Sequence, residues 1–367
     1  MAYQKVLGII LLWTLLFLGI MIGVNVGVDL DNSLRRNREK KIAKWLFSKK
    51  NVANLKEVNE RLIHKILISQ GKQVDCIVLG SSRGLQINQS LFENQPFYNY
   101  SMKGASIQDF FSLTYLLQEN CALPEKVIFV ADPWLFNTNN QLTDWAILSD
   151  SYQQFAQQLA VEPFYAPSWE QPPVDYRKIW SFTYLSRNLG SLMKNEFPWV
   201  YPTYETDLSA PIKHCDGSLI YPAEVRESSI KEIFARAERM AYGPSILSLG
   251  DYDDLDKPLQ KHFLALIRYY EEQNIEVLLY LPPFNPIVWG TIQNNPNYRS
   301  VLKAERYYKR FAAKNGLLLM GSYNPHNMYL NPEDFYDGMH LSRESTQKFF
   351  LHGVSSRSSG SLLSMID

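Results

Sequence analysis

Apolar and polar residues follow two alternating patterns along the chain. Short apolar runs that predict buried strands occupy 74–79, 97–100, 126–131, 276–281 and 317–320. Apolar residues recur at helical spacing over 107–118, 259–272 and 304–315. Strands that alternate with helices or long insertions are typical of a parallel sheet covered on both faces. The pattern therefore predicts an α/β domain of three layers, over about residues 72–353, around a five-stranded parallel sheet.

The apolar run at the N-terminus is longer than any of these strands. Residues Val6 to Val28 carry no charge, and a helix of that length crosses a bilayer at about 1.5 Å per residue. The run exceeds the apolar part of a signal peptide, and no small-residue cleavage site follows it. Residues 1–28 are therefore expected to form an uncleaved, single-pass membrane anchor.

The charges around this helix bear on the side of the membrane that the domain occupies. Lys5 precedes the helix, and a larger group of basic residues follows it: Arg35, Arg36, Arg38, Lys40 and Lys41. Taken literally, the positive-inside rule places the domain in the cytoplasm. Because long domains are translocated in spite of such charges, the residues alone leave the orientation open.

Three further segments have a distinct composition. Residues 29–71 combine apolar residues at helical spacing with many basic side chains, which predicts a helical stalk broken at Asn51. Contact of its lysines with anionic lipid is a secondary hypothesis. Residues 141–256 are rich in Pro and aromatic residues and predict an insertion between the third and fourth strands, packed over the active edge. Its aromatic side chains either form a small core of their own or stack on sugar rings. The serine-rich tail, 354–367, is expected to be disordered.

Composition excludes several classes of function. The formal net charge of the 367 residues is zero, which gives no indication of a nucleic-acid partner. The three cysteines, Cys76, Cys121 and Cys215, lack the spacing of metal ligands, and their odd number does not suggest a disulfide framework. No metal site is therefore predicted.

Two short stretches carry the candidate chemistry. Ser81, Ser82 and Arg83 directly follow the first predicted strand, and Asp337 and His340 share one tight turn near the C-terminus. A serine hydroxyl that faces a histidine held by an aspartate is the arrangement of serine nucleophilic catalysis. The alternative is that the serines only cap a turn by accepting backbone amides, as serine often does.

Further residues are expected at the same edge of the sheet. Ser82, Gly104, Asp132 and Pro283 each fall just after a predicted strand, and ligands bind at the carboxyl ends of parallel strands. An acyl-transfer site needs hydrogen-bond donors for the oxyanion. The amides of Ser82 and Gly104 are the candidates, because glycine lets the backbone approach a ligand closely.

The combination of these motifs resembles the SGNH (GDSL-like) hydrolase superfamily, whose sheet is flavodoxin-like. The membrane-anchored branch is most similar, namely the alginate O-acetylation proteins and the D-alanyl transfer protein of teichoic acid. Shorter details that point the same way are Asp132-Pro133-Trp134, Asp216-Gly217-Ser218 followed by Tyr221-Pro222, and Leu281-Pro282-Pro283. The resemblance implies Ser82 as nucleophile, His340 as base, Asp337 as its orienting residue and Gly104 in the oxyanion hole. Ser81 takes the place of the superfamily's usual Asp.

One position departs from the superfamily. Its third motif normally supplies an Asn side chain to the oxyanion hole, whereas this chain has Asp132. An ionised carboxylate there repels an oxyanion, at a cost on the order of a hundredfold in rate if one donor is lost. Either Asn137 or another donor substitutes, or Asp132 points away, or activity is weak; Arg83 is a candidate to offset the charge.

The sequence therefore predicts serine-dependent acyl transfer or ester hydrolysis on a cell-surface or secreted polysaccharide, without a cofactor. The resemblance implies an extracytoplasmic domain on the cell membrane and, for a transferase, a membrane-bound O-acyltransferase as partner. One alternative is a non-catalytic subunit that binds or assembles polysaccharide and keeps a degenerate site. Another is a cytoplasmic esterase on the inner leaflet. The acyl group, the glycan and the final acceptor stay undetermined.

Overall fold

The computed structural model describes residues 2–29, 34, 37–55, 58–92, 95–166, 175–194, 199–244, 246, 249–250 and 252–358. In chain order, the helices are α1 (Ala2–Val28), α2 (Arg38–Phe47), α3 (Glu60–Ser69), α4 (Ile107–Glu119), α5 (Ser149–Gln158), α6 (Phe182–Met193), α7 (Ala223–Arg226), α8 (Ile230–Ala241), α9 (Lys257–Glu272), α10 (Pro286–Asn294), α11 (Arg299–Asn315) and α12 (Arg343–Ser358). The strands are β1 (Asn51–Ala53), β2 (Cys76–Leu79), β3 (Phe97–Asn99), β4 (Lys126–Val130), β5 (Tyr201–Thr203), β6 (Ile212–Lys213), β7 (Leu219–Ile220), β8 (Glu276–Leu281) and β9 (Leu318–Gly321).

The main sheet has five strands in the order β3-β2-β4-β8-β9. All of its pairs are parallel, with Val78 of β2 opposite Ile128 of β4 and Ile128 opposite Leu278 of β8. The predicted α/β class and the predicted five-stranded parallel sheet are confirmed. Because the strands run in one direction, the segments that follow them meet at one edge.

The two faces of this sheet are covered to different extents. Along β2, Ile77 and Leu79 face a large cluster that includes apolar residues of α3, α4, α9 and α11. Cys76 and Val78 face a smaller cluster, which Phe349 and Phe350 of α12 help to cover. Both sides of each central strand are therefore buried, which explains why the strands read as continuous apolar runs rather than as alternating ones.

Local signals in the sequence set the helix ends. Ser106 begins α4 with a capping box, accepting from the Asp109 amide while the Asp109 carboxylate accepts from the Ser106 amide. Asp256 caps α9 by accepting from the amide of Leu259. α11 ends at Gly316, whose φ of +66° is the left-handed conformation that glycine adopts without strain.

A second, antiparallel sheet was not predicted. Its order is β5-β1-β6-β7, so a strand between α2 and α3 pairs with strands of the aromatic insertion. The segment predicted as a stalk therefore contains a strand, which begins at the predicted break, Asn51. Its helices pack into the main core, where Leu46 of α2 and Leu67 of α3 are wholly buried.

The aromatic insertion is only partly a core. Trp145, Tyr152 and Phe155 are buried against α4 and α9, whereas Trp180 and Tyr204 are exposed. Trp169 lies outside the described residues. Within the described part of the chain, Tyr3–Val28 is the one helix long and apolar enough to span a membrane.

The predicted disordered tail is described only in part. α12 extends to Ser358 and so includes residues 354–358 of that tail. Residues 359–367, the rest of that tail, lie outside the described residues.

Candidate active site

The turn after β2 presents Ser82 at the carboxyl edge of the sheet. Gly80 leads out of the strand so close to β4 that a Cβ on it would lie 2.3 Å from Val130 Cγ2. The Ser81 hydroxyl then accepts a hydrogen bond from the amide of Arg83 at 3.1 Å and caps a 3-10 turn. The capping role considered from the sequence thus falls to Ser81, which leaves the hydroxyl of Ser82 for another partner.

The loop before α12 holds the candidate base. Asp337 Oδ1 accepts from the amides of Met339 and His340 at 2.8 and 2.9 Å, which closes a tight turn. Asp337 Oδ2 lies 2.8 Å from His340 Nδ1, so the same carboxylate fixes the ring. Gly338 is required within this turn, because a Cβ there would lie 2.6 Å from Met240 Sδ and 2.7 Å from Val288 Cγ2.

Folding joins these two turns across 258 positions of sequence. Ser82 Oγ lies 2.9 Å from His340 Nε2. A proton on Nδ1 is donated to Asp337, and Nε2 is then free to accept the proton of the Ser82 hydroxyl. His340 and Asp337 keep 16% and 28% of their side-chain surface exposed, so the pair is reachable from solvent.

The charge of Asp337 suits the role of orienting residue. Burial alone would raise the pKa of its carboxyl, but the neighbouring His340 and the backbone amides of Met339 and His340 lower that pKa to about 2. The carboxylate is therefore ionised at neutral pH and stabilises a positive charge on the imidazole.

Arg83 connects the two halves of the site from beneath. Its Nη2 donates to the carbonyls of Pro282 and Pro283 at 2.5 and 2.7 Å, and its Nε donates to the carbonyl of Met339 at 3.3 Å. The guanidinium also lies over the ring of Phe284, 4.0 Å from its centroid. Arg83 thereby fixes the loop after β8 and the histidine loop to the serine turn.

Asp132 is directed at Arg83. Its Oδ1 accepts from Arg83 Nη1 at 3.1 Å, and the two side chains are 1% and 0% exposed. Burial raises the pKa of Asp132 to about 6, against the lowering effect of Arg83 and of the Ser81 hydroxyl. The charge of the carboxylate at position 132 is thus balanced by a buried arginine.

The remaining candidates for donors to the oxyanion are the amides of Ser82 and Gly104 and the side chain of Asn137. Gly104 has a φ of +60°, and its carbonyl accepts from Arg61 Nη2 at 3.1 Å. Within the described residues, the amides of Ser82 and Gly104 donate to no acceptor, and no hydrogen bond joins Gly104 to Ser82. The side chain of Asn137 is buried and accepts from the amide of Asn139 at 2.8 Å.

A polar cleft of about 280 Å³ opens near the histidine loop. Tyr221 links the two, since its ring centroid lies 6.0 Å from that of His340 and 5.1 Å from that of Tyr336, which lines the cleft. The other lining residues are Gln86, Thr206, His214, Ile220, Arg226, Arg343 and Glu344. Among the described residues, neither atom of the buried Gln86 amide has a hydrogen-bond partner, and the buried Nη1 of Arg343 has no acceptor.

Sequence reasoning missed this cleft. Gln86 lies four residues after Ser82, and Arg343 three residues after His340, so both flank the motifs already singled out. Polar residues beside a catalytic motif were the available signal. Arg226 and Tyr221 belong to the insertion, and no local sequence pattern indicates that the insertion packs beside His340.

The described residues contain no group of three or more His, Cys, Asp or Glu side chains arranged to hold a metal ion.

Comparisons with known proteins do not identify a family for this chain. No protein-family model matches this chain, and no curated protein matches it. Among solved structures, a protein from Bacteroides fragilis NCTC 9343, described provisionally as an acylhydrolase, is similar over 83% of this chain and 99% of that chain, with 10% sequence identity and a TM-score of 0.36. Similarity at that level carries no argument about activity.

Proposed function

We propose that this protein catalyses serine-dependent acyl transfer or ester hydrolysis, with Ser82 as nucleophile, His340 as general base and Asp337 as the residue that orients His340. The observation that supports it is the continuous chain of contacts from Ser82 Oγ to His340 Nε2, at 2.9 Å, and from His340 Nδ1 to Asp337 Oδ2, at 2.8 Å. Nucleophile, base and orienting group within hydrogen-bond reach of one another form the basis of acyl-transfer catalysis.

The reaction follows from these positions. His340 removes the proton of Ser82 while Oγ attacks the acyl carbonyl, and Asp337 stabilises the resulting imidazolium. His340 then gives that proton to the departing alcohol, which leaves an ester on Ser82. Water or a second hydroxyl, deprotonated by His340, attacks this ester and releases the acid or the new ester. The amides of Ser82 and Gly104 are the proposed donors to the oxyanion.

The substrate we propose is an acylated polysaccharide outside the cytoplasmic membrane. The polar, partly basic cleft beside Tyr221 and His340 supports a hydrophilic ligand. Residues 1–28 would anchor the chain, with a three-layer SGNH-type domain on the extracytoplasmic side. That side, and a membrane-bound O-acyltransferase as partner of the transferase version, follow from the family resemblance alone.

A non-catalytic subunit that binds polysaccharide is the second candidate. The observation that favours it is Asp132, which occupies the position of the superfamily's Asn donor and is engaged with Arg83. A site without that amide lacks one of the groups that stabilise the oxyanion.

A fluorophosphonate probe separates the two candidates, because it reacts covalently only with an activated serine. The full chain in detergent is expected to be labelled, and labelling should disappear in Ser82→Ala and in His340→Ala. Ser228→Ala, which removes a hydroxyl that donates to the carbonyl of Glu224, is the matched control and should be labelled normally. A folded wild-type protein that stays unlabelled would overturn the enzymatic proposal in favour of the binding subunit.

A further inference from the structure

Helix α6 exposes a stripe of apolar side chains, although Tyr184 and Leu185 on its other side are buried. Its buried side includes Asn188, wholly buried, and Ser191, 7% exposed. Its exposed side carries Phe182, Leu189 and Met193, which are 68%, 41% and 87% exposed. These three lie on one stripe, since they are spaced by seven and then four residues. A helix in water turns such a stripe toward the core.

Further exposed aromatic side chains precede and follow the helix in the sequence. Tyr176 and Trp180, in the 3-10 turn before α6, are 67% and 59% exposed. Trp199, shortly before β5, is 47% exposed. We call the set Tyr176, Trp180, Phe182, Leu189, Met193 and Trp199 the aromatic surface. Its residue types, Trp and Tyr above all, are those that concentrate at the interface between membrane and water.

The aromatic surface is fastened to the last two turns of α1. Asn25, wholly buried, donates through Nδ2 to the carbonyls of Lys178 and Ile179 at 3.0 Å and of Ser181 at 3.1 Å. Asn188 of α6 in turn donates to Asn25 Oδ1 at 3.1 Å. The position of the aromatic surface relative to the apolar helix is therefore fixed.

Two contacts at the end of α1 add to this attachment. The Tyr184 hydroxyl donates to Asp29 at 3.1 Å, and the indole N–H of Trp199 donates to the carbonyl of Val28 at 3.3 Å. The end of α1, α6 and the turn before α6 are therefore held together as one structural unit.

The length of α1 sets the depth at which this unit lies. Its uncharged run begins at Val6, directly after Lys5, and extends to Val28, whereas a hydrocarbon core about 30 Å thick needs about 20 residues. If Lys5 stays in water at one side of the bilayer, about 20 residues counted from Val6 reach Asn25, so the last turn of α1 lies at the opposite boundary between hydrocarbon and water. The contacts of Asn25 place the turn before α6 at the same boundary, and α6 carries the exposed Arg187 and is followed by the exposed Lys194, basic side chains of the kind that extend toward lipid headgroups.

We propose that the aromatic surface is embedded in the interface of the lipid bilayer that α1 crosses, so that the domain lies against the membrane instead of standing away from it. This proposal rests on the membrane-anchor part of the proposed function. The occupant is lipid; a membrane protein on the same surface is the competing outcome.

The test uses the full chain in liposomes of phosphatidylcholine and phosphatidylglycerol, with a fluorophore on single introduced cysteines. Cys121→Ser and Cys215→Ser remove the reactive background, because Cys76 is buried. The positions are Met193→Cys in the aromatic surface, Leu16→Cys in α1 and Tyr242→Cys, a 76% exposed site after α8. Bromine on the lipid acyl chains quenches a fluorophore only at close contact.

Brominated lipid is expected to reduce the fluorescence at positions 16 and 193 at least twofold and to leave position 242 unchanged. Quenching at 16 but not at 193 would show an inserted anchor with the aromatic surface outside the lipid, which overturns the proposal and leaves a protein partner as occupant. If neither position 16 nor position 193 were quenched, α1 would not be inserted in the bilayer, and both the membrane anchor and the membrane contact of the aromatic surface would be wrong. This outcome would not bear on the proposed chemistry of Ser82.

Discussion

Arg83 and Asp132 form an ion pair that is almost wholly withdrawn from water, with Nη1 3.1 Å from Oδ1. The sequence alone suggested that a carboxylate at position 132 would oppose an oxyanion. In the structure that carboxylate is directed at a guanidinium, which also donates to carbonyls of the loop after β8 and of the histidine loop. The substitution at 132 is therefore part of a buried network that holds the serine and histidine turns together.

This network predicts that Arg83→Met destabilises the fold by about 3–5 kcal/mol, the usual cost of leaving one member of a buried ion pair alone. Guanidinium unfolding of the full chain in detergent, followed by tryptophan fluorescence, measures it. The loss should grow as the pH rises above 6, because the pKa of Asp132 is about 6 beside Arg83 and removal of Arg83 raises it further, so that ionisation above pH 6 costs the variant more than the wild type.

The double variant Arg83→Met with Asp132→Leu serves as the control. It replaces both charges with apolar groups, so much of the lost stability should return. If the double variant were less stable than Arg83→Met alone, the ion pair would not be the cause of the destabilisation.

A second prediction concerns the tautomer of His340. Asp337→Asn keeps an oxygen that can accept from the amides of Met339 and His340, so the turn and the stability should be preserved. The new amide donates to Nδ1 instead of accepting from it, which places the ring proton on Nε2 and prevents removal of the Ser82 proton. Such a change costs about 10⁴-fold in kcat in serine enzymes.

Hydrolysis of p-nitrophenyl acetate measures this effect, with thermal unfolding as the check on the fold. A loss smaller than tenfold in a variant of normal stability would show that Asp337 does not control the protonation of His340. If the variant were destabilised and its activity fell only in proportion to the unfolded fraction, Asp337 would have a structural role only.

The sequence was sufficient for the main sheet but not for the small one. The strands β2, β4 and β8 are buried on both faces and therefore read as continuous apolar runs. β6 and β7 have two residues each, and β1 pairs with β5 across some 150 positions, so no local periodicity reveals them. These elements form through contacts between residues far apart in the sequence. The contact of Ser82 with His340 is of the same kind, and in the sequence only the order of the motifs suggested it.

The third prediction concerns the cleft beside Tyr336. Arg343 and Gln86 line it with buried polar atoms that have no hydrogen-bond partner in the described part of the chain, so a bound ligand would supply the hydrogen bonds. Arg343→Gln should raise the KM for a polysaccharide ester about 10–100-fold, the equivalent of one charge-assisted hydrogen bond. The kcat/KM for p-nitrophenyl acetate, too small to occupy the cleft, should change little.

Glu344→Gln offers a matched control, because it removes the opposite charge from the exposed neighbour of Arg343. It should leave KM unchanged or lower it for an anionic polysaccharide. A KM unaffected by Arg343→Gln would place the polysaccharide elsewhere.

The fourth prediction is a pH dependence of stability that originates at His214. Its Nδ1 lies 3.2 Å from Asp216 Oδ1, and the hydrogen bond from His214 to Asp216, followed by the contact with Cys215, raises the pKa of His214 to about 10. Asp216 also accepts from the amide of Gln89 at 2.8 Å and from that of Ser218 at 2.8 Å, so it ties the β6–β7 hairpin to the loop after Ser82.

The sign follows from linkage. Since the pKa of His214 in the folded protein exceeds its ordinary value of 6.5, the stabilisation is complete below pH 6.5 and is lost as the pH rises toward 10. The free energy of unfolding, measured by guanidinium titration at pH 6, 8 and 10, should therefore fall more steeply in the wild type than in His214→Gln, which carries no titrating group there. Burial lowers the pKa of Lys72 nearby in both proteins, so its contribution cancels in the difference between the two profiles. Parallel profiles would mean that His214 is not charged in the folded protein, and that the cleft it lines carries one positive charge fewer.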